Sequence, residues 1–119
     1  MSAEVKLHEI LSANAPVVAI VGDKIFHKYV KPEADLPAIA YIRNSTSYNA
    51  TIHGFDIEDT ATIDIYCAGT SDEEAENLGN LVDAIFVPPP RNMTKVNRST
   101  MYDEEKQIHA VIITVNVDP

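Results

Sequence analysis

Apolar and polar residues along this chain follow two periods, and the switches between them mark its elements. Val5, Ile10 and Leu11, with His8 or Glu9 completing the turn, have helical spacing and predict a first helix over residues 4–13. Asn14-Ala15-Pro16 restarts the chain, because asparagine caps a helix and proline is tolerated only in its first turn. A short buried helical or turn segment over residues 17–21, ended by Gly22, is expected next. Residues 25–30 read as a short strand. Residues 37–48 read as a longer one that sets Ala38, Ala40 and Ile42 against Ile39, Tyr41 and Arg43 and starts on a proline, where a strand can hold one.

Residues 44–59 are polar, with Ser, Thr, Asn and Gly54, which predicts a hairpin with a long mobile tip. Residues 57–68 return as a strand in which Ala61, Ile63, Ile65 and Cys67 alternate with Thr60, Thr62, Asp64 and Tyr66, the period of a sheet with one buried face. Thr70 and Ser71 then place hydroxyls three residues before Glu73 and Glu74, and the acids favour a helix N-terminus. Ala75, Leu78, Leu81, Val82 and Ile85 share one helical face, so a helix is expected over residues 72–86, about 22 Å long. Pro88-Pro89-Pro90 forbids its continuation. Strands at 93–102 and 107–117, joined by a turn at 103–106, finish the chain. The last is apolar on both faces over 110–115, which places it centrally in the sheet. The expected fold is α+β: a mixed, mainly antiparallel sheet with two main helices on one face, in one domain spanning residues 1–119.

Composition agrees with a folded domain, since 45% of residues are hydrophobic and 23% charged. A chain of 119 residues buries roughly two-thirds of its unfolded surface, a core modest enough that association would help it. The net charge of −9 argues against broad nucleic-acid binding, which needs cations against phosphates. Nothing approaches the ~18–20 apolar residues of a membrane span. The N-terminal MSAEVKLHEI lacks the basic and apolar regions of a secretion signal, and Cys67 has no second cysteine to join, so a cytosolic site of synthesis is expected.

Enzymatic signatures are missing: the sequence contains no P-loop, Gly-x-Gly-x-x-Gly, Gly-x-Ser-x-Gly or His-Glu-x-x-His. His8, His27, His53 and His109 are far apart, with no metal-ligand spacing, and Cys67 sits at buried-face parity as a small apolar residue. Asp56, Glu58, Asp59 and Asp64 read as a solvated strand face, and Tyr41, Tyr48, Tyr66 and Tyr102 as rim packing or subunit contacts. No catalytic residue, cofactor or metal is expected. Charge, however, is segregated: residues 55–90 hold nine acids and no Lys or Arg, while residues 88–100 hold Arg91, Lys95 and Arg98 and no acid. Either such patches join copies head to tail, a contact that closes into a ring when the rotation allows, or the fold brings them together within one subunit.

Taken in order, the chain resembles the tail-completion, or tail-terminator, family of long-tailed bacteriophages. The resemblance rests on an N-terminal helix, Val21-Gly22-Asp23-Lys24-Ile25-Phe26, Leu36-Pro37-Ala38-Ile39-Ala40-Tyr41, Thr62-Ile63-Asp64-Ile65-Tyr66-Cys67-Ala68, the helix opening at Ser71 to Leu78, and the closing strand pair. Two features depart from the pattern: Lys24 where arginine is common, and the triproline with its basic follow-on. The resemblance implies a structural virion protein that forms a hexameric ring on the head-proximal end of the tail tube, ends tube growth and meets the head connector. Its partners would be copies of itself, the tail tube protein and a head connector or neck protein, with DNA only as passing cargo and no membrane. It would be assembled in the host cytoplasm and reside in the virion tail or neck. The hairpin residues Tyr48, Asn49, Thr51, His53, Phe55 and Asp59, with the basic residues Arg91, Lys95 and Arg98, are the candidates for the subunit or tube interface. The other readings are a neck or tube-like subunit that terminates nothing, or a small cytosolic ligand-binding domain or enzyme.

Overall fold

The computed structural model describes residues 3–27, 36–51, 54–87, 93–105 and 107–117, with backbone alone over 45–51 and 54–60. Its elements run α1 (Ala3–Ala13), α2 (Ala15–Val21), β1 (Ile25–His27), β2 (Ala38–Thr51), β3 (Gly54–Gly69), α3 (Asp72–Ile85), β4 (Met93–Asp103) and β5 (Ile108–Val117). The strands form one sheet in the order β1-β2-β3-β5-β4, with β1 parallel to β2 and every other pair antiparallel. This is the expected α+β architecture, and β5, apolar on both faces, lies between β3 and β4.

Local chemistry sets the helix ends. The Asn14 side chain accepts the Val17 N–H at 3.1 Å, Pro16 occupies the first turn of α2, and Gly22 closes it at φ 63°, a left-handed backbone that favours glycine. Ser71 Oγ accepts the Glu74 N–H at 3.1 Å, and Glu74 Oε1 reaches back to accept the Thr70 N–H at 2.9 Å. The acids of the first turn, Asp72, Glu73 and Glu74, lie at the positive end of the α3 dipole.

Registration across the sheet aligns Ile39, Cys67 and Val111 in one row and Tyr41, Ile65 and Ile113 in the next. These rows form one face, and all three helices cover it: Leu7 and Leu11 of α1, Val17 and Val21 of α2, and Ala75, Leu78 and Val82 of α3 join them in a continuous core. Helix α3 approaches most closely at Gly79, where a Cβ would stand 2.8 Å from Val111 Cγ1. The opposite face carries polar cross-strand pairs in register: Thr62 Oγ1 donates to Asn116 Oδ1 at 2.9 Å, and Thr114 Oγ1 to Asp64 Oδ1 at 2.7 Å. The molecule measures 51 × 30 × 23 Å with a radius of gyration of 15.0 Å, above the roughly 13.5 Å of a compact chain of this length.

Candidate assembly surfaces

The elongation comes from the β2–β3 hairpin. Its two strands pair from Ala38 opposite Ala68 out to Thr51 opposite Gly54, whereas β5 stays on β3 only from Gly69 to Ala61, and β1 covers β2 only over Ile39 to Tyr41. Among the described residues, 54–60 and the arm opposite therefore pair only with each other, a ribbon extending roughly 20 Å past the sheet at ~3.3 Å per residue. The hairpin expected over residues 44–59 is present, but where a long tip was expected the pairing continues, with Tyr48 opposite Asp59 and Ala50 opposite Phe55.

Register shifts at Asn44 and Asn49 interrupt β2, and bulges of this kind add twist to a ribbon. Of the hairpin candidates, Tyr48, Asn49, Thr51, Phe55 and Asp59 lie on the ribbon strands, where the backbone is described; His53 lies outside the described residues. A free two-stranded ribbon is marginal in water and gains from a further strand or partner.

A second surface is the seam between α3 and β4. Glu76, Asn80 and Asp83 recur at i, i+4 and i+7 along α3, on the flank beside its apolar face. Asp83 accepts hydrogen bonds from Lys95 Nζ and, at 2.9 Å, from Arg98 Nη1; Arg98 Nη2 donates to Glu76 and Asn80, both at 2.9 Å. Alternation alone would put Lys95 and Arg98 on opposite faces, three residues apart. A register shift between Lys95 and Asn97 makes Val96 a bulge, so that Lys95 lies opposite Val115 and Arg98 opposite Ile113, both core-face positions. The seam closes within the subunit, so for these two cations the structure displays the second of the two charge readings. Arg91 lies outside the described residues.

The seam also sets its own electrostatics. Burial alone would raise the Asp83 carboxyl, but the hydrogen bonds and positive charges of Lys95 and Arg98 outweigh it and hold the carboxyl below its ordinary 3.8. Cys67, fully enclosed on β3, has its thiol pushed up to about 12, chiefly by burial, with the Arg98 charge opposing. That makes it an inert core residue, as its parity implied.

Distance in sequence concealed a third grouping. His8 of α1 and His27 of β1 flank Tyr41 of β2: His8 Nδ1 is 3.2 Å from the Tyr41 hydroxyl, and the His27 ring stacks on Tyr41 at 5.2 Å between centroids. Burial, with the nearby Glu4 carboxylate, raises the Tyr41 hydroxyl. Tyr102 likewise meets His109, at 4.5 Å between centroids. Among the described residues no three His, Cys, Asp or Glu side chains are grouped to hold a metal ion.

A family described as "Tail completion protein gp17" matches residues 5–117. No curated protein matches the sequence. A chain from a solved structure described as "Virion of native gene transfer agent (GTA) particle" superposes with a TM-score of 0.70, covering 94% of this chain and 90% of that one at 10% identity. At such identity the likeness is one of fold.

Proposed function

This chain belongs to the tail completion protein gp17 family, a family of structural tail proteins of phage-type particles, and from that premise we propose that it caps the head-proximal end of a tail tube. Copies close into a ring, taken as a hexamer, that halts tube growth and presents its other side to the head connector. The β2–β3 ribbon, through Tyr48, Asn49, Thr51, His53, Phe55 and Asp59, reaches onto the tube or a neighbouring subunit. Acidic residues along the lumen repel DNA and let it pass.

One observation carries this reading: among the described residues, the ribbon leaves the sheet with only its own two strands to pair, a form whose stability calls for a partner. Deletion of residues 48–54 tests it. The variant should fold, by circular dichroism and thermal melting, yet particles assembled with it should have tails of unregulated length or heads without tails. Particles of normal length and normal joining would reject the proposal. Native mass measurement and negative-stain images of the intact protein should give a closed ring, and filaments would point to a tube-like subunit instead.

A further inference from the structure

The β2–β3 ribbon is fastened at its root on both faces of the sheet. On the helix-covered face, Glu4 and His8, one turn apart on α1, meet Arg43 and Tyr41, two residues apart on β2. Arg43 Nε donates to Glu4 Oε1 at 2.8 Å, and His8 Nδ1 lies 3.2 Å from the Tyr41 hydroxyl. The two spacings match, at ~6 Å along the helix and ~6.6 Å along the strand. On the opposite face, Asp64 of β3 accepts the Asn44 amide at 3.2 Å through one carboxylate oxygen and the Thr114 hydroxyl at 2.7 Å through the other. One side chain thus ties β2, β3 and β5 together. Both fasteners adjoin the register shift between Arg43 and Ser45, just before β5 leaves β3 at Ala61.

We infer that Glu4 and Asp64 are positioning residues that aim the ribbon, holding it in one direction relative to the sheet before any partner docks. Bending in the plane of the sheet would stretch one strand of the ribbon against the other, whereas bending towards either face would not. The register shift at Asn44 concentrates such a bend at the root, and one fastener on each face opposes it in both senses. The Glu4 and Arg43 side chains are 21% and 36% exposed, so their pairing adds little to the stability of the fold and acts on direction instead. An arm already held in its docking direction loses less freedom when it binds. The purpose of this aiming rests on the ribbon being the contact arm proposed above, but the aiming itself is read from the chain without a tube or head.

Spin labels at Thr51→Cys on the ribbon and at Asn77→Cys, an exposed position of α3, test it by pulsed electron-resonance distance measurement. The labelled full chain is diluted in excess unlabelled chain so that neighbouring copies do not contribute, and the enclosed Cys67 stays unlabelled. The parent should give one narrow distance distribution. Glu4→Gln and Asp64→Ala should each widen it about twofold, with Glu4→Gln moving Tm by no more than about 5 °C. Exchanging the charges, Glu4→Arg with Arg43→Glu, should narrow it again, which a general loosening of the fold would not do. A width unchanged in both single variants, or a parent distribution as wide as theirs, would overturn the inference. Widened distributions alongside normally joined particles would uphold it and count instead against the ribbon as the contact arm.

Discussion

Replacing Asp83 with asparagine isolates what the α3–β4 seam contributes. The carboxylate receives donors from Lys95 and Arg98, with side chains 22%, 33% and 26% exposed for Asp83, Lys95 and Arg98. A hydrogen bond to a charged group contributes ~1.5–3 kcal/mol when shielded, and an exposed ion pair ~0.2–1. Intermediate exposure places the loss in Asp83→Asn at about 1–2 kcal/mol, since asparagine keeps one acceptor but turns an amide donor towards two cations. For a chain of this size that is a Tm fall on the order of 4–8 °C. The pH dependence has a definite sign. The folded carboxyl lies below its ordinary 3.8, so its contribution is fully present above that value and is lost as pH falls through the lower folded value. Denaturant titrations of both proteins should therefore show a gap near neutrality that narrows below about pH 4 and shrinks in ~1 M salt. Equal stabilities at neutral pH and low salt, or a gap undiminished at about pH 2.5, would refute the reasoning.

Three further outcomes are expected. Gly79→Ala gains ~1 kcal/mol of helix propensity, but its Cβ would stand 2.8 Å from Val111 Cγ1, a stiff β-branched neighbour buried in a central strand, and overpacking costs ~1–3 kcal/mol. The net effect is a loss in denaturant melts that Val111→Ala should relieve in the double variant. Ser71→Ala removes the α3 cap and should cost about 1 kcal/mol, read as a Tm shift of ~3–6 °C. Cys67 in the folded protein should react with a thiol reagent at about pH 8 roughly a thousandfold slower than a free cysteine, with the rate recovered only in denaturant.

Much of the fold was legible along the chain because buried faces leave periodic traces. The alternation from Ala61 to Cys67, the two-faced apolar run of β5 and the Ser71 cap all describe groups whose partners lie nearby in sequence or whose burial fixes their type. Two expectations needed the third dimension. The hairpin expected over residues 44–59 keeps its backbone pairing out to Thr51 opposite Gly54, where its polar residues read as a long tip. The segregation of acids and bases was plain, but the meeting of Lys95 and Arg98 with the α3 acids turned on the single extra residue Val96, and a bulge leaves no periodic signature.

By itself the sequence determined the element types, the order of the main elements, the central place of β5 and the lack of enzyme motifs, since these follow from local propensity, capping and the demand to bury apolar faces. The tertiary structure decided which distant side chains meet. Asp83 became the hub of a seam with Lys95 and Arg98, and His8 and His27, 19 positions apart, came to flank one tyrosine. Such meetings depend on sheet order, on register and on where a bulge reverses the faces, quantities set by the packing of the whole chain and carried by no one segment of it.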